Sequence, residues 1–404
     1  MTDTQYDAIV VGARCAGSPT AMLLARQGHK VLLVDKATFP SDTISTHLVH
    51  IPGVAAMQRW GLKDELVATN CPPIDTYAFN MGPFTITGKP GSSEEPASYG
   101  PRRTVLDKLL IDAAARAGAE VREAFAVEAL ISDNGAITGI RGHAKGGNSI
   151  VEKARVVIGA DGRHSLVART VKPEQYNEKP PILAGYYSYW SGLPMNGRFE
   201  AYDRPNRSFA AWPTNDGLTL LVGGWRVEEF EENKKDIAGN FYKMLDLAPE
   251  FAERVRNAKQ EDRFYGAFVE NYFRKPFGEG WALVGDAGYN KDFITAQGIS
   301  DAFREAELCA SAVHDWLSGT RSFEEGMTEY QTTRDKVIPM YEFTCSYAML
   351  QPPPPEMQQL FGAIHGNQDA MDGFAKVVAG VTSPAEFFSP DNIGHIFGAA
   401  QARS

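Results

Sequence analysis

Short apolar runs, each closed by a glycine turn, alternate with amphipathic stretches along much of this chain, the pattern of buried parallel strands and crossover helices. Tyr6 to Val11 reads as a buried strand, Gly12-Ala13-Arg14-Cys15-Ala16-Gly17 as the turn after it, and Ser18 to Gln27 as a helix. Val31 to Val34 then forms a second strand that ends in Asp35. A short helix is expected around Val54 to Trp60, closed by Gly61, and an amphipathic helix from Arg102 to Ala117, closed by Gly118. Next come Glu120 to Phe125, a hairpin turning at Asn134-Gly135, and a strand from Ala154 to Ile158 that runs into Gly159-Ala160-Asp161-Gly162. A last apolar strand, from Trp281, ends in Gly285-Asp286 and leads to a helix opening near Gly298.

Other stretches follow a different period. Residues 71–98 are rich in Pro, Gly, Ser and Thr with short β runs such as Phe84 to Thr87, which predicts a small sheet hung between domains. Residues 180–227 carry aromatic strands, Tyr186 to Trp190, Phe209 to Trp212 and Leu218 to Val222, followed by an acidic helical stretch to Arg256 and a β run around Phe264 to Tyr272. The final 80 or so residues read as helical on both sides of Pro352-Pro353-Pro354-Pro355. The expected division is therefore a nucleotide domain in three pieces (1–70, 99–178 and 276–325), a β-sheet substrate domain (71–98 and 179–275) and a helical C-terminal region (326–404).

Composition narrows the function classes. At 404 residues with a 43% hydrophobic and 22% charged content, the chain can bury two or three domains of ordinary globular character. Its net charge of -10 argues against a nucleic-acid partner, which requires a basic face. Cys15, Cys71, Cys309 and Cys345 have no paired spacing, so neither a disulfide framework nor a zinc site is expected. No apolar run reaches the roughly 20 residues of a membrane span, and the first strand begins too early for a cleavable leader, which points to a cytoplasmic protein. His47 and His50 are spaced i,i+3 but lack a third ligand, so no metal is expected. No G-x-S-x-G elbow supports a serine hydrolase.

Strand, glycine turn, helix, strand and acid form a mononucleotide-binding unit in which Gly12 permits the tight turn and Gly17 lets the helix approach the strand. Asp35 stands where a ribose hydroxyl would be bound, and the helix N-terminus faces pyrophosphate. Arg14 replaces the usual middle glycine.

Together with Asp161-Gly162 and Gly285-Asp286, in that order, this unit resembles the FAD-dependent aromatic-hydroxylase superfamily of group A flavoprotein monooxygenases, including its geranylgeranyl-reductase-like branch. The resemblance spans about residues 5–320. It implies an α/β fold with a Rossmann-like FAD-binding domain of the para-hydroxybenzoate hydroxylase type, an inserted antiparallel β-sheet domain and a helical C-terminus. It also implies FAD contacts from Gly12, Ala13, Arg14, Cys15, Ala16, Gly17, Asp35, Lys36, Val127 and Asp161. Arg103, four residues before Asp107, matches an arginine beside the flavin, and Asp286 matches the aspartate on the ribityl chain. Ala296, Gln297, Gly298 and Ile299 would present backbone N–H groups to the flavin edge. A helix start there stabilises the negative charge of reduced flavin.

The implied reaction uses NAD(P)H and O2 to hydroxylate or epoxidise an aromatic or polyketide-like small molecule through a flavin C4a-hydroperoxide. Candidate catalytic residues are His47, Tyr187 and Phe293, the last standing where relatives place a proline. The aromatic strands would supply a dry wall, although about half of those rings are expected simply to pack between sheet and helices. Alternatives are a flavin-dependent C=C reductase, of whose Phe-Pro run Phe209 to Pro213 is a partial echo, and a flavin-binding accessory protein without turnover. A halogenase is disfavoured by the missing W-x-W-x-I-P segment, and a plain NAD dehydrogenase would leave the second and third motifs unexplained. The C-terminal helices could cover the active site or the partner subunit of a homodimer.

Overall fold

The computed structural model describes residues 5–402. Five parallel strands, Trp281–Leu283, Ile150–Gly159, Gln5–Val11, Val31–Val34 and Glu120–Arg122, lie side by side in that order, and Phe277–Gly278 closes one edge antiparallel. Ala8, Ile9 and Val10 have no exposed surface, as strands covered on both faces require. Helices Gly17–Arg26, Arg103–Arg116 and Gly298–Leu317 cover one face through Leu24, Leu106, Leu110, Phe303 and Val313. On the other face the hairpin Phe125–Asp133/Ala136–Ala144 extends from Ile150–Gly159, and Phe125, Ile137 and Ile140 pack on Leu32, Val157 and Leu283. This is the FAD-binding fold expected of the sequence.

The second sheet runs Lys259–Gln260, Leu183–Ser191, Thr219–Arg226, Arg207–Pro213, Arg198–Arg204, Thr76–Asn80 and Thr85–Gly88, with Tyr265–Phe268 also paired to Leu183–Ser191. Around residues 71–98, Pro73–Ile74 pairs with Ser98–Tyr99 as a two-stranded sheet, and the strands between them complete the larger one. Thr76–Asn80 pairs in parallel with Arg198–Arg204, because its alternating Tyr77 and Phe79 complete an aromatic face shared with Phe199.

Period-two alternation splits the aromatic strand Leu183–Ser191 between two cores. Tyr186 and Trp190 face helices Ile237–Leu245 and Pro249–Arg256, while Tyr187 and Tyr189 face Leu48, Ala296 and the C-terminal helices. Of the expected wall, Tyr186, Trp190 and Phe209 thus belong to the helix-side core.

Two boundaries also shift. The helix expected from Val54 begins at Ile51, since Pro52 suits a first helical turn where its missing N–H is no loss. The acidic stretch after Val227 breaks into short helical pieces. Beyond Pro355, helices Pro355–Ile364 and Gln368–Val378 bury Leu360, Ile364, Phe374 and Val378 against the Tyr187/Tyr189 face. Among the described residues no helix is long and apolar enough to cross a membrane.

Candidate active site

The three motifs meet at one point. Gly12 has a φ of 104°, and a Cβ added there would stand 2.4 Å from the Ala160 carbonyl oxygen, next to Asp161. A Cβ on Gly17 would stand 1.8 Å from the Gly12 oxygen, and one on Gly285, whose φ is 60°, would stand 2.8 Å from the Ala16 methyl. These glycines are there because backbone packs on backbone where turns from three distant stretches converge.

At the first turn, Asp35 accepts hydrogen bonds from Ala13 N–H and Ala37 N–H, both at 2.8 Å. Lys36 is exposed beside it, and Phe125 N–H donates to the Asp35 carbonyl at 2.8 Å, which brings the strand bearing Val127 to the same edge. No side chain caps helix Gly17–Arg26, and no acid occupies its first turn. Its start is therefore open to an anion.

Below this helix Asp107 is fully buried and collects three partners. Arg14 pairs with it, Arg103 Nε donates at 3.0 Å, and the Cys15 thiol lies 3.4 Å away. Burial pushes the Cys15 thiol well above its usual range, so this cysteine stays a thiol. Arg103 is only 8% exposed and is no solvated helix-start residue, whereas Arg102 stacks over the Tyr189 ring at 4.6 Å.

Asp161 spends one carboxylate oxygen on the start of helix Leu166–Val171, accepting from Leu166 N–H at 2.6 Å. Its Oδ1 is buried without a partner, and burial raises its carboxyl above the ordinary value. Asp286 is reachable by water yet ringed by protein. That partial loss of hydration lifts its carboxyl, against the opposing pull of Arg103 and Arg163, and its carboxylate makes no hydrogen bond among the described residues.

The turn before helix Gly298–Leu317 is tied down from four sides. His50 Nε2–H donates to the Thr295 carbonyl at 2.9 Å, so His50 Nδ1 is the acceptor for the Tyr77 hydroxyl at 2.7 Å. Asp292 accepts from Ile294 N–H at 3.0 Å and from Leu183 N–H at 3.2 Å. Gln297 Nε2 donates to the Val378 carbonyl at 2.5 Å, fastening the C-terminal region to the turn. Ala296 sits in the left-handed region with a φ of 51°, and Gly298 and Ile299 open a helix that no side chain caps. Phe293 lays its ring against Gly185, where a Cβ would come within 2.5 Å of its Cζ, so it joins the turn to the sheet.

His47 is fully buried in a loop at a φ of 62°, not on a helix with His50. Its Nε2 pairs with the Tyr189 hydroxyl and its ring meets Tyr187 edge-on at 5.8 Å, while its Nδ1 has no partner. Burial, then the Arg103 and Arg102 charges, hold its basicity well below that of a free imidazole. His47 is neutral at physiological pH.

The family described as FAD binding domain, that of FAD-dependent aromatic hydroxylases and halogenases, matches residues 5–233, more than half of the chain. The chain belongs to this family. It is 27% identical over 311 residues to digeranylgeranylglycerophospholipid reductase 2 of Methanopyrus kandleri, covering 73% of each protein. It is 22% identical over 455 aligned positions to the 1H-pyrrole-2-carbonyl-[peptidyl-carrier protein] chlorinase of Pseudomonas fluorescens, covering 96% of each. The flavin-dependent brominase Bmp2 superposes with a TM-score of 0.81 over 99% of both chains at 18% identity, a likeness of fold.

The residues present fit FAD. Two uncapped helix starts flank an accessible, unbonded Asp286 and a half-used Asp161, the donor and acceptor set that a pyrophosphate, a ribityl chain and a flavin edge require. Sequence reasoning passed over Glu305, Tyr330, Tyr272 and Arg274, which hold the Gly285-Asp286 turn, and the roles of His50 and Asp292. Two acids one helical turn apart, Asp301 and Glu305, among the apolar positions of this helix were the available signal.

Proposed function

We propose that this flavoenzyme is an NAD(P)H-dependent monooxygenase that uses O2 to hydroxylate or epoxidise an aromatic or polyketide-like small molecule. Bound FAD would take two electrons from NAD(P)H and make O2 reactive toward an electron-rich substrate. The observation that carries the reading is the uncapped start of helix Gly298–Leu317, whose preceding turn shares through Ala296 one core with Tyr187 and Tyr189, the hydroxyl-bearing rings against His47.

In this reading Gly12 to Gly17, Asp35 and Lys36 hold the nucleotide half of the cofactor, while Arg103, Asp161 and Asp286 hold its middle. Backbone N–H groups at Ala296 to Ile299 stabilise negative charge at the flavin edge. Neutral His47, buried with its Nδ1 unpaired, holds the Tyr189 hydroxyl through Nε2 and so sets the polarity of the wall on that side. Tyr187 and Tyr265, stacked at 5.4 Å, and the C-terminal helices exclude water. Phe293 acts through packing on Gly185, setting the distance between turn and wall.

A second reading, C=C reduction, is favoured by the similarity to the archaeal reductase. Substrate-stimulated NAD(P)H oxidation with oxygen uptake separates the two when product mass is followed. A product heavier by one oxygen is expected. Anaerobic formation of a product heavier by two hydrogens would replace the proposal with the reductase, and halide-dependent mass gain would replace it with a halogenase.

A further inference from the structure

Glu305 lies in helix Gly298–Leu317 with no exposed surface, and none of the contacts assigned above to the cofactor or substrate uses it. The strand ladder before Gly285 ends at Val284, whose N–H bonds the Gly159 carbonyl at 3.0 Å. Gly285 then turns left-handed, so its N–H points inward, away from any strand. Glu305 Oε2 accepts that N–H at 2.9 Å. The Tyr330 hydroxyl gives its one proton to the Leu283 carbonyl at 2.9 Å and stands 3.3 Å from the same Glu305 oxygen. Farther along the turn, the Tyr272 hydroxyl donates to the Asp286 carbonyl at 2.8 Å and Arg274 to the Ala287 carbonyl at 2.9 Å. Side chains therefore hold the backbone that carries Asp286 from both sides of the loop.

An apolar residue at position 305 would leave the Gly285 N–H unpaired where no solvent reaches, and the turn would leave the sheet along a different path. We propose that Glu305 is a positioning residue for the cofactor: by accepting the Gly285 N–H it fixes the turn that presents Asp286, and it does so as a hydrogen-bond acceptor rather than as a charge. The inference rests on the reading that Asp286 contacts FAD. Glu305 Oε1 has no hydrogen-bond partner, and Arg304 Nη2 comes no closer than 4.0 Å. Burial also lifts the Glu305 carboxyl to about 7, against Arg334 and Arg304, so the neutral acid is well populated at physiological pH.

The test is FAD titration of the apoprotein, with the visible circular-dichroism band of bound flavin as a second readout. Glu305→Ala should weaken FAD binding about tenfold and shift the band, and Glu305→Gln, which keeps an acceptor without a charge, should restore both to within about twofold of the parent. Wild-type affinity in Glu305→Ala, or a loss in Glu305→Gln as large as in Glu305→Ala, would overturn the proposal. Asp286→Ala separates the two levels. If it binds FAD normally, the underlying reading of Asp286 fails; if it binds weakly while Glu305→Ala does not, only the role of Glu305 fails. Should Glu305→Ala not fold, Glu305→Asp keeps an acid but withdraws the acceptor from the Gly285 N–H by one methylene. About threefold weaker FAD binding supports the proposal there, and unchanged binding rejects it.

Discussion

Around Gly285-Asp286 the backbone is held by hydrogen bonds from buried polar side chains, whereas His47 lies against Tyr187 and Tyr189 of a second sheet, on a face whose core the C-terminal helices complete. The first region is stiff in direction, because each bond has one good geometry. The second is stiff in volume, because packed rings resist change in size more than change in polarity. A cofactor that must be held in one orientation suits the first, and a substrate space that must stay dry suits the second. Damage to the polar edge should release FAD, while damage to the aromatic wall should spare FAD and impair turnover.

The largest effect that would break this comparison is at Arg103. Replacing it with Leu leaves buried Asp107 with Arg14 as its one cationic partner and takes a positive charge from beside Asp286. Breaking a buried pair of this kind costs on the order of 3–5 kcal/mol. Urea unfolding should show a loss of that size, with FAD affinity falling as well. A stable Arg103→Leu protein with full FAD content would mean that the polar edge is not what holds the cofactor.

Acidity should act with opposite sign on two groups that hold the turn before helix Gly298–Leu317. His50 is held neutral down to about 4 by burial, against an ordinary 6.5, so the unfolded chain takes up the proton first. Its contribution, on the order of 3 kcal/mol, is intact above the ordinary value and is lost as pH falls from 6.5 toward 4. Asp292 behaves in the opposite way. Burial raises its carboxyl to about 7, so the folded protein keeps a proton that the unfolded chain releases near 4, and this contribution is lost as pH rises from about 4 to 7. Between about pH 4 and 6.5 the two slopes oppose each other, so urea midpoints relative to the parent should fall with rising pH in His50→Gln and rise with it in Asp292→Asn. Parallel shifts in both variants would show that the two groups do not titrate as their surroundings dictate.

A smaller effect is expected at Gly285. Its φ of 60° and the Ala16 methyl 2.8 Å from a new Cβ make Gly285→Ala unfavourable by about 1–2 kcal/mol, read as a lower unfolding midpoint together with weaker FAD binding. The smallest stability change belongs to Tyr189→Phe. It removes the hydroxyl paired with His47 and should alter stability by only about 1 kcal/mol, leave FAD content unchanged and lower kcat/KM. FAD loss in this variant would merge the two regions into one.

The two regions also differ in how far they could be read from the chain. Gly12, Gly17, Asp35, Asp161 and Gly285-Asp286 declared themselves, because a backbone that must turn tightly or approach another backbone tolerates few residue types, and local spacing records that demand. The strands and helices of the nucleotide fold followed from periodicity, with ends displaced by a few residues at Pro52 and around Ala154. The aromatic strand was visible, but which of its rings faced the site was not. Alternation assigns two faces without saying which one a helix will cover, and only packing sent Tyr186 and Trp190 one way and Tyr187 and Tyr189 the other.

By itself, then, the amino-acid sequence determined the nucleotide-binding units, their order and the carboxylates at their strand ends, since each depends on conformational demands met within a few residues. Tertiary structure alone decided that the three glycine turns touch and that Arg103 and Arg14 share Asp107. It also decided that His50 and Gln297 tie the helix-opening turn to remote elements and that Glu305 completes Gly285. Those contacts join residues far apart in the chain, and their cause is the need to pair every buried donor and charge after folding has excluded water.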